Sequence, residues 1–187
     1  MTQRRRIPLD DRGMPVRKQD VPVEDPAGPA QCRCPILDPE EWDGVENDWS
    51  DIAFVRAATN AVMGVPLGFD SARAGLQKKA ARAGATVAED AMLLVGSGRF
   101  RRPILLEVEG DVVASKGVEH PRGFAFTRLV PAPWGELSRL VDEVSKEAAS
   151  RYGRPPDATW VWYLTCRLCS RARGFETLIV AQFLPGS

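Results

Sequence analysis

Four cysteines in two close pairs form the sharpest chemical pattern of this 187-residue chain. Cys32 and Cys34 form a C-x-C pair, and Cys166 and Cys169 form a C-x-x-C pair within TCRLCSRARG. Four thiolates can satisfy tetrahedral zinc, and a site closed by four protein ligands is structural. The spacing therefore fits a structural zinc, while buried or free thiols and a disulfide or redox pair stay open as alternatives.

Acidic residues inside apolar strand patterns are the second candidate group. Glu107 and Glu109 alternate in ILLEVEG and so share one face of a strand, while Glu176 opens the last apolar run. Such a carboxylate lies either on a solvated face or in a cavity, where burial raises a carboxyl pKa and suits a general base. We predict Glu107 or Glu176 as the base, with the hydroxyl of Tyr163 donating to a developing oxyanion.

Five tryptophans give the chain a large capacity for aromatic contact. Trp160 and Trp162 fall on one face of a strand, and Tyr163 points to the other face. The tryptophans indicate either an aromatic core or a flat slot for a planar ligand. For the slot we predict five substrate-binding residues, namely Trp49, Trp134, Trp162, Phe124 and Phe126.

Several other classes of function have little support. The sequence has no phosphate-binding glycine loop, and its one histidine, His120, lies in an apparent loop outside any triad motif. Equal numbers of basic and acidic residues, 25 each, argue against a nucleic-acid partner. No apolar run is long enough to cross a membrane, and no signal-peptide pattern follows Arg6. We therefore expect a cytoplasmic protein.

The hydrophobic pattern predicts the scaffold that must position these residues. Residues 1–31 are rich in proline and charge, which is typical of a disordered or loosely packed tail, and residues 32–187 form one domain. Periodicity predicts two helices, over 67–84 and 134–153. It predicts strands over 51–59, 91–96, 103–110, 123–130, 158–165 and 175–183. In the first helix we expect Asp70 as the cap, Gly84 as the stop, and an apolar face of Ala72, Leu76, Ala80 and Ala81.

The order strand–helix–strand–strand occurs twice, over about 50–112 and about 122–184. We predict an α+β fold made of a duplicated βαββ unit, with an antiparallel-rich curved sheet. Both helices would cover one face, and a ligand pocket would lie between the two halves. Exposed strand edges or the tryptophan-rich segment around Trp42 and Trp49 would also permit a homodimer.

Three segments resemble a bacterial family that is often labelled only "hydrolase". Its opening run is resembled by Cys34-Pro35, Asp38-Pro39, Trp42-Asp43-Gly44 and Trp49. VPLGFD at 65–70 resembles the family's H-I-P-L-N-F, and WYLTCRLCSRARG at 162–174 resembles its Y-Y-T-T-C-P-K-C-A-K-K-Y-G. The resemblance covers roughly residues 32–183.

This family is similar in fold to the GyrI-like proteins, some of which are cyclopropanoid cyclopropyl hydrolases. Those enzymes open the cyclopropane of DNA-alkylating antibiotics of the duocarmycin and yatakemycin class and protect the producing cell. The resemblance implies a self-resistance or detoxifying hydrolase that takes a planar aromatic natural product and requires no cofactor. The alternative within the superfamily is a protein that sequesters such a ligand without turnover.

Two positions depart from the family's pattern. Glu176-Thr177 stands where the family commonly has Asn-Tyr, and residues 130–134, VPAPW, stand where members usually show F-E-G-P-Y. The acidic residue of that loop is therefore missing here. If it is the base in relatives, the role passes in this chain to Glu107 or Glu176.

Overall fold

The computed structural model describes residues 34–62, 65–110, 117–133 and 135–186. Within them lie the helices α1 (Pro39–Trp42), α2 (Phe69–Arg82) and α3 (Leu137–Tyr152). The strands are β1 (Val45–Asp48), β2 (Ala53–Val62), β3 (Val65–Pro66), β4 (Leu93–Gly96), β5 (Arg101–Val108), β6 (Val118–Glu119), β7 (Phe124–Pro131), β8 (Ala158–Tyr163) and β9 (Glu176–Phe183). The predicted tail, Cys32 and Trp134 fall outside the described residues.

The strands form a strongly curled antiparallel sheet in the order β1-β7-β9-β8-β4-β5-β2-β3, with β6 pairing β2. The first βαββ unit consists of β2, α2, β4 and β5, and the second of β7, α3, β8 and β9. The units meet where β4 pairs antiparallel with β8, Val95 lying opposite Val161. Equivalent strands thus meet across an approximate twofold axis. The predicted α+β fold with a duplicated unit is confirmed and is consistent with a GyrI-like fold.

The strand register separates the two faces of the sheet. Ile104, Val95, Val161 and Ile179 lie opposite one another on four neighbouring strands and so share one face. Ile179 packs there in the apolar cluster under α3, and α2 packs on β2 and β5. The other face carries two cavities, and among the described residues no member of α2 or α3 lines either of them. Both helices therefore cover the first face.

Helix α2 differs from its predicted form at the N-terminus. The N-cap residue is Gly68, with φ of 64°, and Asp70 lies within the first turn, so the predicted capping role of Asp70 is wrong. Ala81 is exposed, which makes the apolar face narrower than predicted. Gly84 follows the helix with φ of 72°, a conformation that glycine adopts without strain, and it stops the helix as predicted. In the described part of the chain, no helix has the length and apolar run needed to cross a membrane.

Residues 34–52, here called the leading segment, contain two elements that the pattern does not predict, α1 and β1. Asp38 caps α1 by accepting the N–H of Glu40 at 3.0 Å, and Pro39 occupies the first helical turn. Strand β1 then adds to the sheet by pairing with β7. The backbone N–H of Trp49 donates to the carbonyl of Gly123 at 2.9 Å. These contacts lay the leading segment over the helix-free face.

Candidate active site and thiol cluster

The leading segment closes a small cavity on the helix-free face, with a volume of about 120 Å³. Its walls come from the leading segment, from the first unit and from the second unit. They comprise Pro35, Ile36, Leu37, Trp42, Asn47, Trp49, Ile52, Asp90, Met92, Glu107 and Trp162. A pocket between the two units is therefore present, with the leading segment as its third wall.

Three buried tryptophans give the small cavity rigid aromatic walls. Trp42 meets Trp162 edge to face, with ring centroids 6.1 Å apart and planes at 69°. Trp49 lies tilted against Phe54, with centroids 5.4 Å apart. Because aromatic rings packed at these distances hold one another in place, the walls are preorganised for an apolar or planar group.

Glu107 supplies a carboxylate to this aromatic cavity and is only 2 % exposed. Strand β5 places it opposite Phe54 of β2. Its Oε2 accepts the backbone N–H of Met92 at 3.0 Å. Of the two settings that the sequence left open, a solvated face and a cavity, Glu107 occupies the cavity. A buried, hydrogen-bonded carboxylate beside a cavity is a candidate general base.

Asn47 brings a second polar group to the cavity wall. Its Nδ2 donates to Thr127 Oγ1 at 3.0 Å, and that hydroxyl donates to the carbonyl oxygen of Trp42 at 2.7 Å. This buried chain of bonds fixes both the amide and the leading segment. Sequence reasoning missed Asn47 because it missed β1. The alternation of Val45, Asn47 and Trp49 is the signal that could have found it.

The structure brings together some predicted site residues and separates others. Trp49 and Trp162 line the small cavity with Glu107. Tyr163 lies on the opposite face of β8, is 37 % exposed, and lines neither cavity. Glu176 pairs with Arg173 in the β8–β9 connection and also lines neither cavity. Sequence reasoning did not single out Met92 and Asp90, because both lie in a segment without a chemical motif.

The predicted aromatic contacts Phe124 and Phe126 are part of the core under α3. Phe124 stacks on Phe183 with centroids 4.9 Å apart, and both pack against Tyr152 of the helix. Phe126 is fully buried in the same cluster. Neither phenylalanine lines a cavity on the helix-free face.

A second cavity of about 590 Å³ lies farther along the helix-free face. Trp160 is part of its wall and donates its indole N–H to Gln182 Oε1 at 2.8 Å. Phe54 also lines it, and its contact with Trp49 makes an aromatic partition between the two cavities. The larger cavity has the size of typical small-molecule sites, about 300–1,000 Å³.

A cluster of three thiols lies beside the small cavity. The Sγ atoms of Cys34, Cys166 and Cys169 all lie within 4.8 Å of one another. The backbone N–H of Cys166 donates to Cys34 Sγ at 3.0 Å, and the Sγ atoms of Cys166 and Cys169 are 3.5 Å apart. Three of the four predicted ligands are therefore arranged so that they could bind a metal.

The fold and this site define an α+β protein with a buried carboxylate in an aromatic cavity. The chain belongs to the bacterial hydrolase family, whose sequence model matches residues 24–183. Comparison with curated proteins and comparison with solved structures each gave no match. The family therefore indicates hydrolysis as the class of activity.

Proposed function

We propose that this protein adds water to the cyclopropane of a spirocyclopropylcyclohexadienone, the reactive group of DNA-alkylating antibiotics of the duocarmycin and yatakemycin type. The observation that carries this proposal is Glu107, a carboxylate only 2 % exposed in a cavity with three tryptophan walls. Membership of the hydrolase family supports the reaction class. The resemblance of its motifs supplies the substrate class, and the result would be self-resistance or detoxification.

The reaction needs a base and a place for negative charge. Glu107 accepts a proton from water as the water oxygen bonds to the ring CH₂. The ring carbon–carbon bond breaks, and its electron pair flows into the dienone, whose carbonyl oxygen becomes a phenolate. That phenolate takes a proton from solvent, and Glu107 returns its proton, so the net change is the addition of one water. Strain release and aromatisation drive the step, which uses no cofactor.

The oxyanion donor in this proposal is Asn47. Tyr163, the donor that the sequence suggested, lies on the opposite face of β8 and lines neither cavity. Asn47 lines the cavity, and its bond to Thr127 fixes the amide in one orientation. A preorganised N–H donor stabilises charge that develops on an oxygen without reorganising during the reaction.

The size of the small cavity determines which part of the ligand enters. A volume of about 120 Å³ holds about four waters at their liquid volume, whereas drug-sized ligands fill about 300 Å³ or more. Only the spirocyclic end would fit inside. The aromatic remainder would leave past Ile36, which lines the cavity and is 52 % exposed.

The larger cavity favours a second candidate, which is sequestration without turnover. Its volume of about 590 Å³ suits a whole aromatic ligand, and Trp160 offers a stacking surface. Among its described lining residues the one acidic side chain is Glu119, and that carboxylate pairs with Arg56 at 3.1 Å. The imidazole of His120 also lines this wall, so the volume and Trp160, rather than the lack of a base, favour binding here.

The test incubates the full chain with an excess of a spirocyclopropyl antibiotic, followed by mass spectrometry and a DNA-alkylation assay. Product that has gained one water, over many turnovers per chain, with protection of DNA, is the expected result. Intact drug recovered after denaturation, with DNA protected, would establish sequestration instead. Intact drug without protection of DNA would refute both proposals.

A further inference from the structure

We propose that Cys34, Cys166 and Cys169 bind a zinc ion that fastens the leading segment to the β8–β9 connection and thereby fixes one wall of the small cavity. Cys34 is the first described residue, and the two other cysteines lie more than a hundred residues later, Cys166 being 132 positions after Cys34. A metal would hold these distant segments together independently of the apolar core.

The sulfur spacing fits tetrahedral zinc. Zn–S bonds of about 2.3 Å place neighbouring sulfur atoms about 3.8 Å apart. The three Sγ atoms lie within 4.8 Å of one another, and those of Cys166 and Cys169 are 3.5 Å apart. A disulfide needs about 2.05 Å, so the arrangement has the spacing of a ligand set rather than of a bond between two sulfurs.

The local backbone holds the thiols in position for a metal. After Cys166 the chain turns, with the N–H of Ser170 donating to the Cys166 carbonyl and the N–H of Arg173 donating to the Cys169 carbonyl, each at 3.0 Å. This turn presents both sulfurs of the C-x-x-C pair on one side. The N–H of Cys166 donates to Cys34 Sγ, an interaction that favours the thiolate, the form that binds metal.

The charge around the cluster suits a metal–thiolate centre. Three thiolates and Zn²⁺ leave one net negative charge. The connection carries three arginines near the cysteines in sequence, Arg167, Arg171 and Arg173, of which Arg173 is paired with Glu176. Arg173 also donates to the carbonyl of Pro35 at 2.9 Å, which anchors the residue next to Cys34. The positive charge that this connection carries would offset the net negative charge of the centre.

The proposed zinc is structural. It would fix the positions of residues that line the small cavity and would take no part in the reaction. Pro35, Ile36 and Leu37 follow Cys34 directly and line the cavity, and Trp162 precedes Cys166 on the other side. The three described cysteines leave one tetrahedral position to fill. The inference rests on these three residues alone.

The test measures metal on the full chain purified under reducing conditions without a chelator. We expect about one zinc per chain, and after exchange with Co²⁺ an intense thiolate-to-cobalt charge-transfer band. Cys34→Ser and Cys169→Ser should each lower zinc occupancy roughly tenfold or more. Ser170→Ala, in the same turn, is the matched control and should keep the metal.

Three results would contradict the proposed zinc site. Reduced wild-type protein that takes up neither zinc nor cobalt would overturn the inference, as would cysteine variants that bind metal like the wild type. A metal-free native protein with a Cys166–Cys169 disulfide would overturn it too. The cobalt spectrum of the wild-type chain does not depend on whether a variant folds. Metal content is read without substrate, so its outcome is separate from that of the proposed hydrolase activity.

Discussion

Two hydrogen bonds join Glu107 of β5 to Met92, the residue that precedes β4. The N–H of Glu107 donates to the Met92 carbonyl at 2.9 Å, and the N–H of Met92 donates to Glu107 Oε2 at 3.0 Å. Met92 therefore fixes both the backbone of β5 and the orientation of the carboxylate. Both residues also line the small cavity. The carboxylate is thus oriented before any ligand binds, as a general base requires.

Glu107→Gln should remove the base while keeping the shape of the site. The amide oxygen can still accept the Met92 N–H, but the side chain can no longer take a proton. We expect the rate of ring opening to fall by about 10²–10⁴-fold, with ligand affinity and melting temperature close to wild type. Mass spectrometry measures the rate, calorimetric titration measures the affinity, and thermal unfolding gives the melting temperature.

Glu109→Gln, two residues along the same face, is the control for that substitution and should retain the wild-type rate. Glu176→Gln should affect stability more than rate, because Glu176 pairs with Arg173 and does not line the cavity. Full activity of Glu107→Gln would refute its assignment as the base, and full activity of Glu176→Gln as well would exclude both carboxylates that the sequence suggested.

Thr127→Val should loosen the leading segment. Valine has nearly the same shape but lacks the hydroxyl that bonds Asn47 and the Trp42 carbonyl, so both buried polar groups lose a partner. We expect unfolding in urea to show a loss of about 1–3 kcal/mol. Thr159→Val, at a partly buried position of β8, should cost less. Equal stability of the Thr127 variant and wild type would mean that this network does not hold the segment.

Tyr152 should lose its proton at a higher pH than an ordinary tyrosine. Burial beside Phe124 and Phe183, together with Glu46, raises the pKa of Tyr152 from 10.0 to about 12. Since folding raises this pKa, the stabilising contribution is complete below pH 10 and is lost as the pH rises through about 12. The ultraviolet absorbance of the phenolate should show a midpoint near 12 that Tyr152→Phe removes. A midpoint near 10 for this component would contradict the prediction.

Local hydrophobic periodicity was sufficient to predict the main helices and strands of both units. The helix predicted over 134–153 forms as α3, and its Val144 and Ala148 are buried because one amphipathic face must meet the sheet. The leading segment carries local signals, the Asp38-Pro39 helix start and the alternation of Val45, Asn47 and Trp49, but these do not identify its partner in the sheet. Strand β1 exists by pairing with β7, more than seventy residues away, and no local periodicity encodes that partner.

The site was predictable only in part for the same reason. Alternation showed that Glu107 lies in a strand, but its burial depends on the leading segment folding back over that face. Alternation also separated Trp162 from Tyr163, so placing both against one ligand conflicted with strand geometry. The two cysteine pairs in the sequence identified the residues of the thiol cluster, but only the fold shows that they lie close together.

Gly96→Ala should distinguish between the two cavities. A Cβ at this position would lie 2.6 Å from Pro103 Cγ and 2.8 Å from Trp160 Cζ3, so both side chains of the larger cavity must shift. We expect the free energy of unfolding in urea to fall by about 1–3 kcal/mol. Gly75→Ala, in helix α2 with open space around it, should instead stabilise the protein by about 0.5–1 kcal/mol.

The activity of the folded Gly96→Ala variant shows which cavity is catalytic. If the small cavity is the catalytic site, the variant keeps ring opening, because Glu107 lies outside the disturbed wall. If turnover falls in proportion to a loss of ligand affinity, the reactive ligand occupies the larger cavity, and the assignment of Glu107 as its base fails.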